Sequence, residues 1–354
     1  MIATGEPTLA TSRRRRTIAL SLIACAAGFA LAAGDAAAFT MPKVPFARTS
    51  VWNRRVPVDA VFADVQDAIF GDPAAAPKSL GVDLVTICST DASAPLVNVE
   101  HSAGWTYPLR AQTTGQVLYT RHLAPDACLD VSWNKIGNAL FVLFDTTTGL
   151  ADLGIGGWRD PGGPLLNTAN VGSSAHGLDV RRGDGLRGYG RASSLPALGG
   201  LLRARELSTS IHHAVSVVVP ITRLSEEQHF VWPASSADGS APFTYQGPNP
   251  AYAMGSLLAI PRSVKLRDHA WRTKQGFRLA VAAQRYGWYV ADVVAAPQVQ
   301  LAIENDAARR DLGLAIDPGT GKMSVDPAKV DAEGLTADVL QILTLVRAVT
   351  SNAR

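Results

Sequence analysis

The densest group of residues suited to acid–base chemistry in this 354-residue chain comprises Arg203, Arg205, Glu206, His212 and His213. A histidine beside a carboxylate acts as a general base, and a carboxylate held by arginine binds or polarises a sugar or uronate. The valine-rich segment that follows predicts a strand, so the two histidines should point to opposite faces, and at most one enters a given cleft. A structural interpretation stays open, in which Glu206 forms a salt bridge with an arginine and one histidine is satisfied near the strand end.

Two further carboxylates lie in polar segments. Asp179 precedes a run of arginines and aspartates that ends at Arg191, which suits a cleft for a polyhydroxylated or anionic ligand. A solvated loop has the same composition. Asp238 follows Trp232, and an aromatic ring near a carboxylate suits a pyranose, although Asp238-Gly239 is also an ordinary turn pair.

Glycoside hydrolysis needs two carboxyl groups, one as acid and the other as nucleophile or base. The candidate catalytic residues are Glu206, His213, Asp179 and Asp238, and the candidate substrate-binding residues are Arg203, Trp232 and Tyr245. Polysaccharide lyases instead use arginine, histidine and tyrosine around a uronate. Arg203, His213 and either Tyr189 or Tyr245 are available for that role, but their order and spacing do not match alginate-lyase motifs.

Motifs for cofactors are incomplete. Gly188-Tyr189-Gly190-Arg191 lacks the third glycine and the preceding strand of a dinucleotide loop. Residues 317–322 resemble a phosphate loop, but Ile316 stands where the first glycine is required, so we predict a hairpin turn. Neither a Gly-x-Ser-x-Gly elbow nor a His-Glu-x-x-His helix occurs, and we expect no cofactor and no metal.

The first 38 residues predict an export signal, because four arginines at 13–16 precede an apolar segment that reaches Ala33, and Ala36-Ala37-Ala38 follows. The arginines fit either the twin-arginine or the general secretory route. We expect cleavage after Ala38, with lipid attachment at Cys25 as the second choice. The protein is therefore expected in the periplasm or outside the cell, without stable insertion in a membrane.

Cysteine usage fits export. After cleavage only Cys88 and Cys128 remain, each in a strand-like segment. In an oxidising compartment such a pair forms a disulfide if the Cα atoms come within about 7 Å. Two buried free thiols are the alternative that the sequence leaves open.

The charge balance excludes an overall basic protein. The chain has 33 Lys and Arg and 30 Asp and Glu, and residues 1–38 hold four of the arginines, Glu6 and Asp35, leaving 29 against 28. Because nucleic-acid binding requires basic residues concentrated on one face, this balance does not indicate it. The remaining length is enough for one large core.

Helical spacing of apolar residues predicts a helix over residues 58–70, an amphipathic helix over 273–286 that ends at Gly287, and a final helix over 339–349. A short helix is expected over 201–208. The β-rich segments are 84–88, 96–99, 117–122, 128–133, 139–144, 211–221, 229–232, 256–260 and 288–294. The glycine-rich residues 149–200 predict long surface loops.

Successive strands without intervening helices indicate an antiparallel sheet. We therefore predict an α+β fold, a predominantly antiparallel, jelly-roll-like β-sandwich with a few peripheral helices. It forms a single secreted domain over residues 39–354 with a C-terminal helix.

Several segments in a fixed order carry a resemblance: Ser50-Val51-Trp52-Asn53, Leu195-Pro196-Ala197-Leu198-Gly199-Gly200-Leu201-Leu202-Arg203, Glu206, Ile211, His213-Ala214, Val231-Trp232-Pro233-Ala234 and Gln284-Arg285-Tyr286-Gly287. With these segments the chain resembles a family of exported bacterial proteins. The resemblance implies a single secreted domain and draws attention to Glu206 and His213, but it implies no reaction.

From these observations we expect a secreted carbohydrate-active enzyme, a glycoside hydrolase that acts on a polysaccharide and not on nucleic acid. A non-catalytic glycan-binding or cell-envelope protein is the first alternative, and a polysaccharide lyase is the second. A hydrolase should bring two of the candidate carboxylates to within about 5 to 10 Å across an open groove.

Overall fold

Short strands make up most of the regular structure in residues 39–129, 131, 138–168, 176–317 and 323–352, which the computed structural model describes. In chain order they are β1 (Phe62–Ala63), β2 (Ser79–Ser89), β3 (Leu96–Ser102), β4 (Thr113–His122), β5 (Leu140–Phe144), β6 (Leu150–Gly154), β7 (Trp158–Arg159), β8 (Leu165–Asn167), β9 (Leu178–Asp179), β10 (Val215–Pro220), β11 (Leu257–Ala259), β12 (Trp288–Val294), β13 (Gln298–Glu304), β14 (Ala315–Ile316), β15 (Met323–Ser324) and β16 (Arg347–Val349). The α-helices are α1 (Gln66–Phe70), α2 (Ala241–Thr244), α3 (Lys274–Arg285), α4 (Asn305–Ala307) and α5 (Ala332–Leu345).

The strands form a ten-stranded sheet in the order β1-β16-β11-β12-β10-β13-β2-β5-β6-β9, a four-stranded sheet in the order β4-β3-β8-β7, and the hairpin β14-β15. The larger sheets are both mixed, with β10 parallel to β12, β2 parallel to both β13 and β5, and β3 parallel to β8. Parallel neighbours need long crossover connections, and the segment between β10 and β12 contains α2, β11 and α3. The α+β class is therefore confirmed, whereas antiparallel dominance and a jelly roll are not.

Side chains alternate between the two faces of the ten-stranded sheet. On β12, Trp288 and Val290 belong to one apolar core and Tyr289 belongs to another. Leu279 of α3 and Val339 of α5 pack into the first core. The second core is closed by irregular segments, so the sheet is covered on both faces as a mixed sheet requires.

The four-stranded sheet packs on β5, where Phe141 and Leu143 meet Val99 of β3 in a third apolar cluster. Cys88 on β2 forms a disulfide with Cys128 in the same cluster, with 5.4 Å between their Cα atoms. The predicted pairing of these cysteines is present, and it ties the large sheet to the segment that follows β4.

The predictions for α3 and β12, which rest on signals within a few residues, are confirmed. Helix α3 occupies residues 274–285 of the predicted 273–286, because the Thr273 hydroxyl caps its start, accepting from Gly276 N at 2.8 Å. Strand β12 has the predicted bounds. The strands predicted at 84–88, 96–99, 117–122, 139–144 and 256–260 are also present with shifted ends.

Other helix predictions are wrong in part. Residues 58–65 precede α1 and include β1, because Phe62 and Ala63 pair with β16. The final helix ends at Leu345, and Val346 leads into β16, whose pairing with β1 and β11 replaces further helix. Residues 201–208 form turns and a bridge from Leu202 to Ile303 in place of a helix.

The glycine-rich segment 149–200 is not a set of surface loops. It contains β6 to β9, and Leu195, Ala197 and Leu198 are fully buried. A Cβ atom on Gly199 or Gly200 would lie within 2.5 Å of the Trp52 ring, so these glycines allow the backbone to pack closely on a buried indole. Close packing, not surface mobility, explains their presence.

The strand predicted over 128–133 is wrong where it is described, because Cys128, with a φ of 64°, lies in a turn and residues 129 and 131 have 3-10 helical conformation. Three predictions fall at least partly outside the described residues: the export signal with Cys25, half of that strand, and the turn over 317–322. The last lies between β14 and β15, which pair antiparallel. None of the helices in the described part of the chain has the length and apolar character needed to cross a membrane.

Candidate functional site

The Glu206–His213 pair predicted from the sequence exists. Nε2 of His213 lies 3.0 Å from Glu206 Oε2 and 3.2 Å from Oε1, while Nδ1 lies 2.8 Å from the carbonyl oxygen of Ala214. Both ring nitrogens face oxygen acceptors, an arrangement that favours the doubly protonated imidazolium of His213.

Burial is the largest influence on the His213 pKa and lowers it. The hydrogen bond and charge of Glu206 together with the Ala214 carbonyl outweigh that effect, so the pKa is raised above its usual value near 6.5. A carboxylate that favours the charged form of the histidine leaves less of the neutral form that acts as a base.

The Glu206–His213 pair is almost inaccessible to solvent. Glu206 is 9% exposed and His213 is 2% exposed. Glu206 Oε2 also accepts the backbone N–H of Arg203 at 2.7 Å, whereas the Arg203 guanidinium pairs with Glu304 at the end of β13, Nε to Oε2 2.8 Å. A structural role fits these contacts, in which the pair fixes the turn that precedes β10, but the ionic partner of Glu206 is His213 and not the predicted arginine.

The other candidate carboxylates organise turns. Asp179 Oδ1 accepts the backbone N–H groups of Arg181 and Arg182 at 2.9 and 3.0 Å. Asp238 Oδ1 accepts the N–H and the hydroxyl of Ser240 at 2.8 and 2.6 Å. Both patterns are local turn contacts that aspartate commonly makes.

Glu206 and Asp179 are far apart in the fold. Arg203 links Glu206 to β13, while Asp179 ends β9, and three strands separate β13 from β9 in the sheet. Four strand spacings correspond to roughly 19 Å along the sheet. No hydrogen bond among the described residues joins Asp238 to either carboxylate, and Glu206 and Asp179 do not form the expected catalytic pair.

The two aromatic candidates differ in exposure. Tyr245 is 4% exposed, and its hydroxyl lies 3.4 Å from the backbone nitrogen of Asp238. Burial raises its pKa. Trp232 is half-buried and lines a small cavity with Tyr289. Only Trp232 therefore offers a ring surface to a ligand.

Two buried clusters were not anticipated. Arg191 is paired with Asp83 and lies 3.9 Å from Asp292, Nη1 to Oδ2. The Nε and Nη2 atoms of Arg191 are buried and have no hydrogen-bond partner among the described residues. Burial raises the pKa of Asp292 to about 7, against the lowering effect of Arg191, and the charge of Asp83 raises it further.

The second cluster joins Tyr119, Arg121 and His176 around Asp152. Arg121 Nε donates to Asp152 Oδ2 at 2.7 Å, and the rings of Tyr119 and His176 meet edge to face at 4.6 Å. These are the residue types of a lyase site, but burial, with a further contribution from Asp152, raises the Tyr119 pKa. A buried, protonated phenol and an arginine already bound to aspartate favour a structural role.

The described residues form a groove of about 850 Å³. We name it the basic groove, since its walls carry the cations Arg262, Lys265, Arg267, Arg278 and Arg285. Asp268 is the one carboxylate among the lining residues, and His212 lies on the rim beside Ser210, with Nε2 to Oγ 2.7 Å.

Helix α3 presents its charged side to the basic groove. Lys274, Arg278 and Arg285 recur at intervals of four and seven residues, which places them on one face of the helix. The opposite face is buried through Leu279 and Ala283. The amphipathic pattern that forms the helix therefore also fixes the row of cations.

A smaller cavity of about 340 Å³ extends the basic groove. The two share Phe277 and Arg278, and the smaller one adds Trp271, Arg272 and Lys274. Nε1 of Trp271 donates to the carbonyl oxygen of Leu266 at 2.7 Å, which holds the indole in place. Two aromatic rings thus stand among the cations.

The sequence contained a signal for this site. Residues 262–285 hold seven lysines and arginines against the single carboxylate of Asp268. The balance of the whole chain conceals this segment, because acidic residues elsewhere cancel it. A local charge count along the helix would have found the groove.

No protein-family model, curated protein or solved structure matches this chain, so its chemistry follows from its own geometry. No group of three or more His, Cys, Asp or Glu side chains able to hold a metal ion occurs within the described ranges. The basic groove and its extension bring cations and aromatic rings together on one concave surface.

Proposed function

We propose that this protein is exported and binds an acidic polysaccharide, a chain of uronate or sulfated sugars, in the basic groove. The observation that carries the proposal is the concentration of seven cations and one carboxylate between Arg262 and Arg285. The Cys88–Cys128 disulfide supports export, since such bonds persist in oxidising compartments.

Electrostatics favour a polymeric anion. Arg262, Lys265, Arg267 and Arg285 are all exposed, and none of them forms an ion pair with a described carboxylate. Like charges lined along a concave wall raise the local concentration of anions and repel cations. A single carboxylate gains little from one exposed cation, whereas a chain with regularly spaced charges meets several at once.

The aromatic rings favour an acidic sugar chain over a polyanion that lacks sugar rings. Trp271 and Phe277 lie with ring centroids 6.2 Å apart, and both are partly exposed beside Arg278. The apolar face of a pyranose packs on such rings, while the surrounding guanidinium groups take its carboxylate or sulfate. This combination supports an acidic glycan as the occupant.

Non-catalytic binding is the form of glycan recognition that these contacts support best. Glycoside hydrolysis remains a prediction, because Glu206 and Asp179 lie apart and each candidate acid is engaged in a turn or a buried pair. Elimination also remains a prediction, because His213 is buried and Arg203 is bound to Glu304.

The test is a titration of the purified protein with polygalacturonate, a sulfated glycan, neutral dextran and duplex DNA, followed by calorimetry. We expect binding to one or both acidic glycans, none to dextran, and at least about a tenfold loss of affinity at high salt because screening weakens exposed charges. Tighter binding to DNA than to either glycan would contradict the proposal.

The same samples are assayed for reducing ends and for the ultraviolet absorbance of unsaturated products. Neither signal is expected from a binding protein. Reducing ends alone would support the hydrolase, and both signals together would support the lyase.

A further inference from the structure

A further cavity, distinct from the one that contains Trp271, lies beside the basic groove. It has a volume of about 150 Å³, and its walls include Arg54, Arg55, Trp232 and Tyr289. We name it the Trp232 cavity. Its size is below that of pockets for drug-sized ligands, which start near 300 Å³, so it suits a single sugar ring.

One residue joins the Trp232 cavity to the basic groove. The backbone N–H of Val56 donates to the carbonyl oxygen of Arg285 at 2.8 Å, and the Val56 carbonyl accepts from Arg262 Nη2 at 3.2 Å. Arg262 and Arg285 line the groove, while Arg55 and Pro57, the neighbours of Val56, line the cavity. The groove and the cavity are therefore neighbours in the fold.

The wall that carries Arg54 and Arg55 is held rigidly. Trp52 is 1% exposed, and its Nε1 donates to the carbonyl oxygen of Gly185 at 2.8 Å. Asn53 Nδ2 donates to the carbonyl oxygens of Pro45 and Ala47, both at 2.9 Å. A site built on such a fixed turn loses little freedom when a ligand binds.

The chemistry of the walls selects a sugar acid. Arg54 Nε donates to the carbonyl oxygen of Thr49 at 2.7 Å. The two terminal nitrogens of Arg54 lie at the exposed end of its side chain. Arg55 is exposed as well, so the walls of the cavity carry two guanidinium groups, the side chains that bind carboxylates most strongly. Tyr289, 5.2 Å edge to face from Trp52, and the half-buried Trp232 supply apolar walls for the ring.

We infer that the Trp232 cavity binds a single hexuronate residue at the end of the polysaccharide chain, next to the groove that holds its interior. This inference rests on the proposed function. It adds that the protein recognises chain ends, so at equal mass short oligouronates should compete better than long polymers.

The experiment titrates the full chain with monomeric galacturonate and glucuronate, with glucose as the neutral control, and then repeats polymer binding. We expect millimolar hexuronate binding and none of glucose. Arg55→Gln and Trp232→Ala should each lower hexuronate affinity by at least about tenfold and polymer affinity less. Arg187→Gln, an exposed arginine outside both cavities, should change neither affinity.

Circular dichroism of each variant establishes that it folds, and Arg55→Gln keeps the test informative if Trp232→Ala does not. Polymer binding without hexuronate binding, or with equal competition from long and short chains, would overturn the chain-end inference and leave the proposed function standing. Absence of polymer binding in the parent protein would overturn the proposed function itself.

Discussion

The carboxylate of Asp338 on α5 holds the start of α3 through Thr273. Its Oδ2 accepts the backbone N–H of Thr273 at 2.8 Å and the Thr273 hydroxyl at 2.7 Å, while Oδ1 accepts the N–H of Arg272 at 2.8 Å. Asp338 is 1% exposed, so this contact ties the helix that carries the cations to the buried side of the fold.

Gly276→Ala should lower the free energy of unfolding. A Cβ at this position would lie 2.2 Å from Asp338 Oδ2 and would displace the carboxylate. In an open helix the same change stabilises by up to about 1 kcal/mol. Here we expect a loss of about 1 to 3 kcal/mol because of overpacking, measured by urea unfolding. Gln275→Ala, one residue earlier, is the matched control, and a more stable Gly276→Ala protein would count against this account of the contact.

Glu206→Gln should destabilise the fold without affecting glycan binding. The change leaves the buried His213 imidazolium without its counter-charge, and breaking such pairs costs about 3 to 5 kcal/mol. Thermal unfolding followed by calorimetry gives the loss. If the variant that remains folded at low temperature binds no glycan, Glu206 belongs to the binding site and the structural interpretation is wrong.

Asp292 should make stability fall as pH rises from about 4 to about 7. Burial gives the native carboxyl a pKa of about 7, whereas an unfolded aspartate titrates near 4, so the native state holds the proton more tightly. The favourable contribution is complete below about pH 4 and is lost through pH 7, at about 1 kcal/mol per pH unit where it is steepest.

Urea unfolding of the parent and of Asp292→Asn at several pH values measures this contribution. Asparagine keeps the shape of the protonated carboxyl and does not titrate, so the difference in stability should shift in favour of the variant as pH rises. A difference that stays constant from pH 4 to pH 8 would show that Asp292 does not titrate in this range.

The Cys88–Cys128 disulfide should contribute about 4 kcal/mol, because it closes a loop with a sequence separation of 40 residues in the unfolded chain. Comparing urea unfolding of the parent with that of the double variant Cys88→Ala and Cys128→Ala gives the value. Equal midpoints for the two proteins would mean that the bond does not form in solution.

Local signals explain which parts of the fold could be predicted. Residues 273–294 carry a cap at Thr273, an amphipathic period and Gly287, whose φ of 81° ends α3 before β12 begins. Each of these signals acts within a few residues, so α3 and β12 follow from the sequence alone.

Long-range pairing explains the failures. Residues 346–349 have helical spacing of valines, but β11 and β1 provide partners on both sides and turn 347–349 into β16. Local composition assigns the glycines at 199 and 200 to a loop. Their packing against the buried ring of Trp52, about 150 residues earlier in the chain, cannot be predicted from a local pattern. In both cases the structure is decided by contacts between segments that are distant in sequence.

The candidate site shows the same division. The Glu206–His213 contact follows from proximity in sequence. Its burial does not, because the surrounding contacts, such as the ion pair between Arg203 and Glu304, join segments that are distant in the chain. The basic groove is visible as a local excess of charge between residues 262 and 285, and a total over the chain hides it.

The most direct test of the central claim compares two double variants of equal charge. Arg267→Gln with Arg285→Gln removes two cations from the basic groove, and Arg182→Gln with Arg187→Gln removes two exposed cations elsewhere. Calorimetric titration of both with polygalacturonate and the sulfated glycan should show at least about a tenfold loss of affinity for the groove variant alone. Equal affinities in the two variants would contradict binding in the basic groove.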